Sequence, residues 1–291
     1  MAFLLLGSIT APTALSLAAT SIDSITPALA ETTSSVATDT AHEVSISVVT
    51  PGQEHLSMVA RLTTTSNYIA QDVKWQIRSD AGELLINETK TEVSQPLPPG
   101  DYVVEADYGA VHLREPVTIL AGNSLAVSFV LNAGGLRVLP TLKGITLANV
   151  ESQTLVFALN GPERGKLVAR SKLPGEVIKL PVGHYRVENR FGYGNTTAVT
   201  DVHIRPGIMS AIDVKHHAGL ARFSFVGAPA AAVKWEIKPE SGTVIATFEG
   251  LSQDLALKPG TYLAAAHVNG EVLTAKFKIV AGEQRDIMLG N

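Results

Sequence analysis

One ten-residue stretch returns three times along the chain. Leu97-Pro98-Pro99-Gly100-Asp101-Tyr102-Val103-Val104-Glu105-Ala106 is followed by Leu180-Pro181-Val182-Gly183-His184-Tyr185-Arg186-Val187-Glu188-Asn189 and by Leu257-Lys258-Pro259-Gly260-Thr261-Tyr262-Leu263-Ala264-Ala265-Ala266. Each copy reads as a turn, a Gly, and a strand with Tyr at its second position. A period of roughly 80 residues means three copies of one domain. Other landmarks keep step. Alternating strands centred on Trp75, Phe157 and Trp235 come first, then Gly82, Gly165 and Gly242. After the Tyr strand, Gly122, Gly207 and Gly282 each separate two apolar-alternating segments.

The repeat overrides the prior of about two domains for 291 residues. Modules of this size hold a thin core, and with no Cys in the chain none has a disulfide or a cysteine metal site. Strand patterns dominate. Val73, Trp75 and Ile77 point one way while Lys74 and Gln76 point the other, giving one buried and one wet face. The same split places Val233, Trp235 and Ile237 inside, and Phe157 is expected at the equivalent buried site of repeat two. Each motif Tyr points inward, where its hydroxyl needs a partner such as a backbone carbonyl near the turn. The motif Gly at 100, 183 and 260 is expected to resist substitution if its φ is positive. About seven short strands per repeat, with turn signals every 8–12 residues, indicate an all-β chain of three tandem seven-stranded antiparallel β-sandwiches.

The expected order is a signal peptide over 1–30, a disordered lead over 31–41, and sandwiches over 42–133, 134–217 and 218–291. The apolar N-terminal run ends in Ala28-Leu29-Ala30, an A-x-A cleavage pattern before Glu31. No Lys or Arg precedes that run, which fits a true start further upstream; an uncleaved membrane anchor is the alternative. No second apolar span of membrane length follows. His42 to Thr50 alternates with period two and has no counterpart in the other repeats, so repeat one carries an extra strand able to protect a sheet edge. The junctions lack long Pro- or Ser-rich linkers, so neighbouring modules should touch.

The repeated turn, strand and Gly-led last strand resemble the transthyretin-like, or carboxypeptidase regulatory-like, β-sandwich domains of secreted and envelope proteins. They are also similar to PEGA domains and to the Cna-B repeats of surface adhesins. The resemblance implies a spacer, stalk or docking role and no catalysis. Some Cna-B domains form a Lys–Asn isopeptide bond assisted by a buried acid in the Y-x-x-E position of the Tyr strand. Glu105 and Glu188 stand there but Ala265 does not, and Leu56 to Leu62 and Leu136 to Pro140 contain no Lys. Solvated carboxylates are the better account of both Glu residues.

Net charge is −4 with no basic block, so nucleic acid is not an expected partner. His216 and His217 are adjacent, which in a strand turns them to opposite faces, and no H-x-H or H-E-x-x-H spacing occurs; a metal or other cofactor is not expected. No nucleophile elbow or phosphate loop is present, so no catalytic residue is assigned. One loop is richer than a turn requires: Arg190, Phe191, Tyr193 and Asn195, two aromatics with an Arg and an Asn. Such a set suits contact with a protein or a sugar; the alternative is that Phe191 or Tyr193 caps the core or packs at a junction. The expectation is a periplasmic or secreted non-enzymatic protein that spaces, scaffolds or binds an envelope protein or polysaccharide. A carbohydrate- or ligand-binding accessory protein is the alternative.

Overall fold

The computed structural model describes residues 34–36, 42–143, 145–146, 152–191, 194–227 and 232–290. The candidate signal peptide lies outside them, as does most of the expected disordered lead.

Module one is built from β1 (Ser34–Val36), β2 (His42–Val48), β3 (His55–Arg61), β4 (Val73–Ser79), β5 (Leu84–Lys90), β6 (Glu92–Pro96), β7 (Gly100–Tyr108), β8 (Val111–Ile119) and β9 (Asn123–Val130). Module two contains β10 (Ala133–Leu142), β11 (Ile145–Thr146), β12 (Ser152–Ala158), β13 (Leu167–Ser171), β14 (Val177–Pro181), β15 (Gly183–Phe191), β16 (Thr197–Ile204) and β17 (Met209–His216). Module three contains β18 (Gly219–Val226), β19 (Lys234–Pro239), β20 (Ala246–Glu249), β21 (Ser252–Leu257), β22 (Gly260–Val268), β23 (Glu271–Ile279) and β24 (Gln284–Gly290). All described elements are strands, and each module is a sandwich of about seven.

One sheet of each sandwich has the order β5-β4-β7-β8, β13-β12-β15-β16 or β20-β19-β22-β23. The facing sheets are β1-β2-β9-β3-β6; β14-β10-β17, with β11 also on β10; and β21-β18-β24. Pairing is antiparallel with one exception per module. The first and last common strands run parallel: β3 with β9, β10 with β17, β18 with β24. The extra strand β2 lies antiparallel along the outer edge of β9, from His42 opposite Phe129 to Val48 opposite Asn123. Inside the expected disordered lead, Ser34–Val36 adds to β2 in turn, through backbone pairing that needs no particular side chain.

The cores follow the alternation. Trp75 and Trp235 are fully buried, and each indole donates to a carbonyl at the end of the adjacent edge strand, Lys90 O at 3.1 Å and Gly250 O at 3.0 Å. The three motif tyrosines are buried and each hydroxyl donates four residues back: Tyr102 to Pro98 O (2.6 Å), Tyr185 to Pro181 O (2.8 Å), Tyr262 to Lys258 O (2.7 Å). Burial pushes the Tyr102 and Tyr185 hydroxyls above the usual phenol pKa.

Two expectations fail. The motif glycines at 100, 183 and 260 do not have a positive φ; a Cβ there would meet the neighbouring Tyr ring, and at Gly183 also Asn160 Oδ1, at ordinary or slightly tight distance. Positive φ is found instead at the other repeated glycines, among them Gly122, Gly207 and Gly282, at φ 75°, 69° and 75°, where the chain turns into its last strand. The second failure is Phe157. It is half-buried on the outer face opposite Arg186, while Thr154, Val156 and Ala158 point inward. Leu155 to Leu159 is apolar throughout, so alternation carries no information about which face is in.

Candidate functional site

The Tyr strand sets the registers that matter. Four residues past Tyr102 and Tyr262 stand Ala106 and Ala266, and these small side chains lie opposite Trp75 and Trp235. Four residues past Tyr185 stands Asn189, opposite Thr154. Module two therefore replaces the Trp–Ala pair of its neighbours with two buried polar groups. Asn189 Nδ2 donates to Thr154 Oγ1 at 2.9 Å, which turns its Oδ1 toward His216 Nε2, also at 2.9 Å. That contact puts the proton on Nε2, so Nδ1 accepts from the Thr196 hydroxyl at 3.2 Å. The four residues are all buried, and Phe191 closes the cluster with its ring 4.3 Å from the imidazole. Burial holds the His216 pKa down at about 4. The sequence signal for this cluster is a single residue of the second repeat, Asn189, where the flanking repeats have Ala106 and Ala266.

The expected contact loop emerges from this cluster. Arg190 is half-exposed and pairs with Glu188 of its own strand at 3.2 Å. Phe191 is 1% exposed and occupies the place of Tyr108 and Val268, six residues past each motif Tyr and buried in all three modules. Its ring is part of the core and offers no stacking surface. Tyr193 lies outside the described residues. Asn195 reaches the next module, where its Nδ2 donates to the Tyr262 hydroxyl at 3.2 Å and its Oδ1 accepts from Lys258 N at 2.9 Å. Gly194 lies against the Ala256 backbone so closely that any side chain would collide with it.

The first junction uses the same device. The turn after β7 presses on β14: Ala110 N donates to Lys179 O at 3.0 Å, and a Cβ on Gly109 would come within 2.6 Å of Lys179 Cβ. Lys179 and Ala256 are equivalent, each immediately before the motif Leu. The Lys179 ammonium stands 4.0 Å over the Tyr108 ring, and burial there lowers its pKa against the opposing pull of Asp72. Only Leu131-Asn132 and His217-Ala218 connect the modules in sequence. Asn195→Ala should therefore cost about 1 kcal/mol of neutral hydrogen bonding at the second junction. Interdomain residual dipolar couplings should show modules two and three reorienting more freely, with the melting of each core unchanged. Unaltered couplings would mean that Asn195 does not hold the junction.

His217 is exposed and His216 buried, as opposite-facing neighbours require. Among the described residues no group of three His, Asp or Glu is placed to hold a metal ion. Glu105 lies on the outer sheet face between Arg78 and Arg114, with Nε–O distances of 3.5 Å to each.

No curated protein matches this sequence. Among solved structures, the chain is similar to the Bacillus anthracis TIE protein at 16% identity and a TM-score of 0.25, over 82% of this chain and 50% of that one. It thus spans about half the length of that relative. The minor pilin of the gram-positive pathogen Streptococcus agalactiae matches at 11% identity and a TM-score of 0.30, over 56% of this chain and 95% of that one. For the pilus adhesin SpaC from Lactobacillus rhamnosus GG the figures are 11%, 0.26, 84% and 44%. Residues 225–290, within the third module of this tandem-repeat β-sandwich protein, match the model of the Rhizobiales growth-associated tandem repeat domain.

Proposed function

We propose that this chain is a non-enzymatic exported protein that acts as a spacer or scaffold of the cell envelope, built from transthyretin-like sandwiches. The observation that carries this reading is the repeated junction. Two-residue connections and turn-on-strand contacts at Gly109–Lys179 and Gly194–Ala256 hold successive sandwiches in a fixed relation. A chain that spends its sequence on keyed junctions gains a defined spacing between whatever lies at either end. The A-x-A pattern before Glu31 supports export. The description of the family matching residues 225–290, which ties its repeats to growth in Rhizobiales, fits an envelope role.

The test is made on native cells. Fractionation should place the protein outside the cytoplasm, with an intact mass corresponding to a chain that begins at Glu31. In-cell cross-linking should recover envelope proteins or polysaccharide. A cytoplasmic protein of full mass would sink the proposal.

A further inference from the structure

Repeat one carries two things its sisters lack: the strand β2, and an arginine at position 61. The equivalent positions, three residues past the strand residue that pairs with Val127, Ile212 and Ile287, hold Thr141 and Val226 in modules two and three. Both features meet on the outer face of the β2-β9-β3 sheet. There, Glu43 and Ser45 from β2, Ser57 and Arg61 from β3, Ala126 and Ser128 from β9, and Tyr68 from the following loop line a concavity of about 230 Å³.

Its polar groups are fixed before any ligand arrives. Arg61 donates from Nε to Ser128 Oγ at 2.7 Å and from Nη2 to the Tyr68 hydroxyl at 3.2 Å; Nη2 also stands 3.2 Å from Glu43 Oε2. The guanidinium carbon is 4.8 Å from the centre of the Tyr68 ring. Tyr68 is held by a backbone bridge to Arg61 and by Ile69 N donating to Ala60 O at 2.8 Å. Ser66 ties the loop between them, accepting from Leu62 N and Thr63 N. Yet Tyr68 as a residue is 57% exposed. The small floor residues make the hollow, and Ser57 and Ser94 present paired hydroxyls at 2.8 Å beside it.

We propose that this shelf binds a pyranose unit of a neutral polysaccharide. An exposed aromatic ring backed by a cation offers flat apolar area with a polar tip, which suits the C–H face of a sugar ring. A locked guanidinium–carboxylate pair and several hydroxyls supply directed donors and acceptors for sugar hydroxyls. The pair neutralises itself, so the shelf does not demand a charged sugar. The volume is below the roughly 300–1,000 Å³ of pockets that engulf a whole small molecule, which fits one unit of a longer chain lying across an open surface. The site also gives β2 a use besides edge protection, since that strand supplies one wall.

The proposal rests on the envelope reading only for its choice of probe, and it is tested on purified mature protein, so failure of export would leave it standing. Cellohexaose and N-acetylchitohexaose are titrated into the three-module chain and followed by amide chemical shifts and calorimetry. Saturable binding to at least one, with shifts concentrated at residues 43–45, 57–61, 68 and 126–128, is the expected result. Tyr68→Ala should weaken it at least tenfold. Ala126→Gln, which fills the floor from an exposed position, should do the same without touching the Arg61 network. The absence of shifts at the shelf with both oligosaccharides would overturn the proposal, as would unchanged affinity in both variants. A photo-cross-linker at position 126 that captures a protein in cells, and no glycan, would overturn it too.

Discussion

Trp235→Ala is expected to destabilise module three by about 3–5 kcal/mol, from lost burial and the cavity left behind. The indole is packed within 5.6 Å of both Phe223 and Phe248, ring centre to ring centre, and its N–H is spent on Gly250 O. The loss is a large part of the 5–15 kcal/mol that ordinarily stabilises a domain, and no disulfide is present to offset it. Hydrogen exchange resolves the effect by module. Amides of β18 to β24 should lose protection, while those of β3 to β9 around Trp75 keep theirs. Loss spread evenly over the chain would mean that the cores are not separate. No loss at all would mean that the ring is not the anchor of its core.

The second large effect is confined to module two and appears only in acid. His216 is neutral in the fold, and among the described residues its two ring nitrogens are partnered by an amide and a hydroxyl. Its pKa is about 4 folded and 6.5 in an open chain. Between those values the unfolded state binds one proton more than the folded state, so stability falls as pH falls. The stabilisation is complete above pH 6.5, declines on acidification, and is fully lost below about 4. The total is on the order of 3 kcal/mol. Comparing wild type with His216→Leu between pH 7 and pH 4.5 cancels the background titration of surface carboxylates. The wild type should lose stability more steeply, with exchange protection failing first in β12, β15 and β17. Identical slopes would refute the assignment of His216 as the buried neutral group.

Much of the fold was legible because it was written three times. Trp75 and Trp235 sit in strands that alternate cleanly, and the tyrosine hydroxyls had one class of partner within reach. What was not legible had no periodic signature. Leu155 to Leu159 is apolar on both faces, so Phe157 could be assigned inward or outward with equal sense, and pairing with β15 decided for outward. The parallel contact between first and last strands depends on how distant segments meet, which local pattern does not encode. The described residues of the loop do other work than an exposed contact surface would need. Phe191 is buried against a polar cluster in which Asn189 and Thr196 of its own hairpin meet Thr154 and His216 from other strands, and Asn195 keys two modules together. The shelf around Tyr68 escaped notice because its parts come from three strands and a loop, and no two of them form a motif.

The parallel pairs have a mechanical consequence. In modules two and three the chain enters along one strand and leaves along its immediate neighbour in the same direction, at the opposite end, whereas in module one β2 comes first and runs antiparallel to the exit strand β9. Tension applied between the ends of module two or three then pulls its parallel strands past each other lengthwise. The evenly spaced rungs of a parallel ladder are loaded together, and none can fail before the rest, unlike a hairpin pulled open from its mouth. The eight and seven residue pairs that join these couples therefore act as a shear clamp, which sets the unfolding rate under load. Pulled in series, modules two and three each present such a clamp.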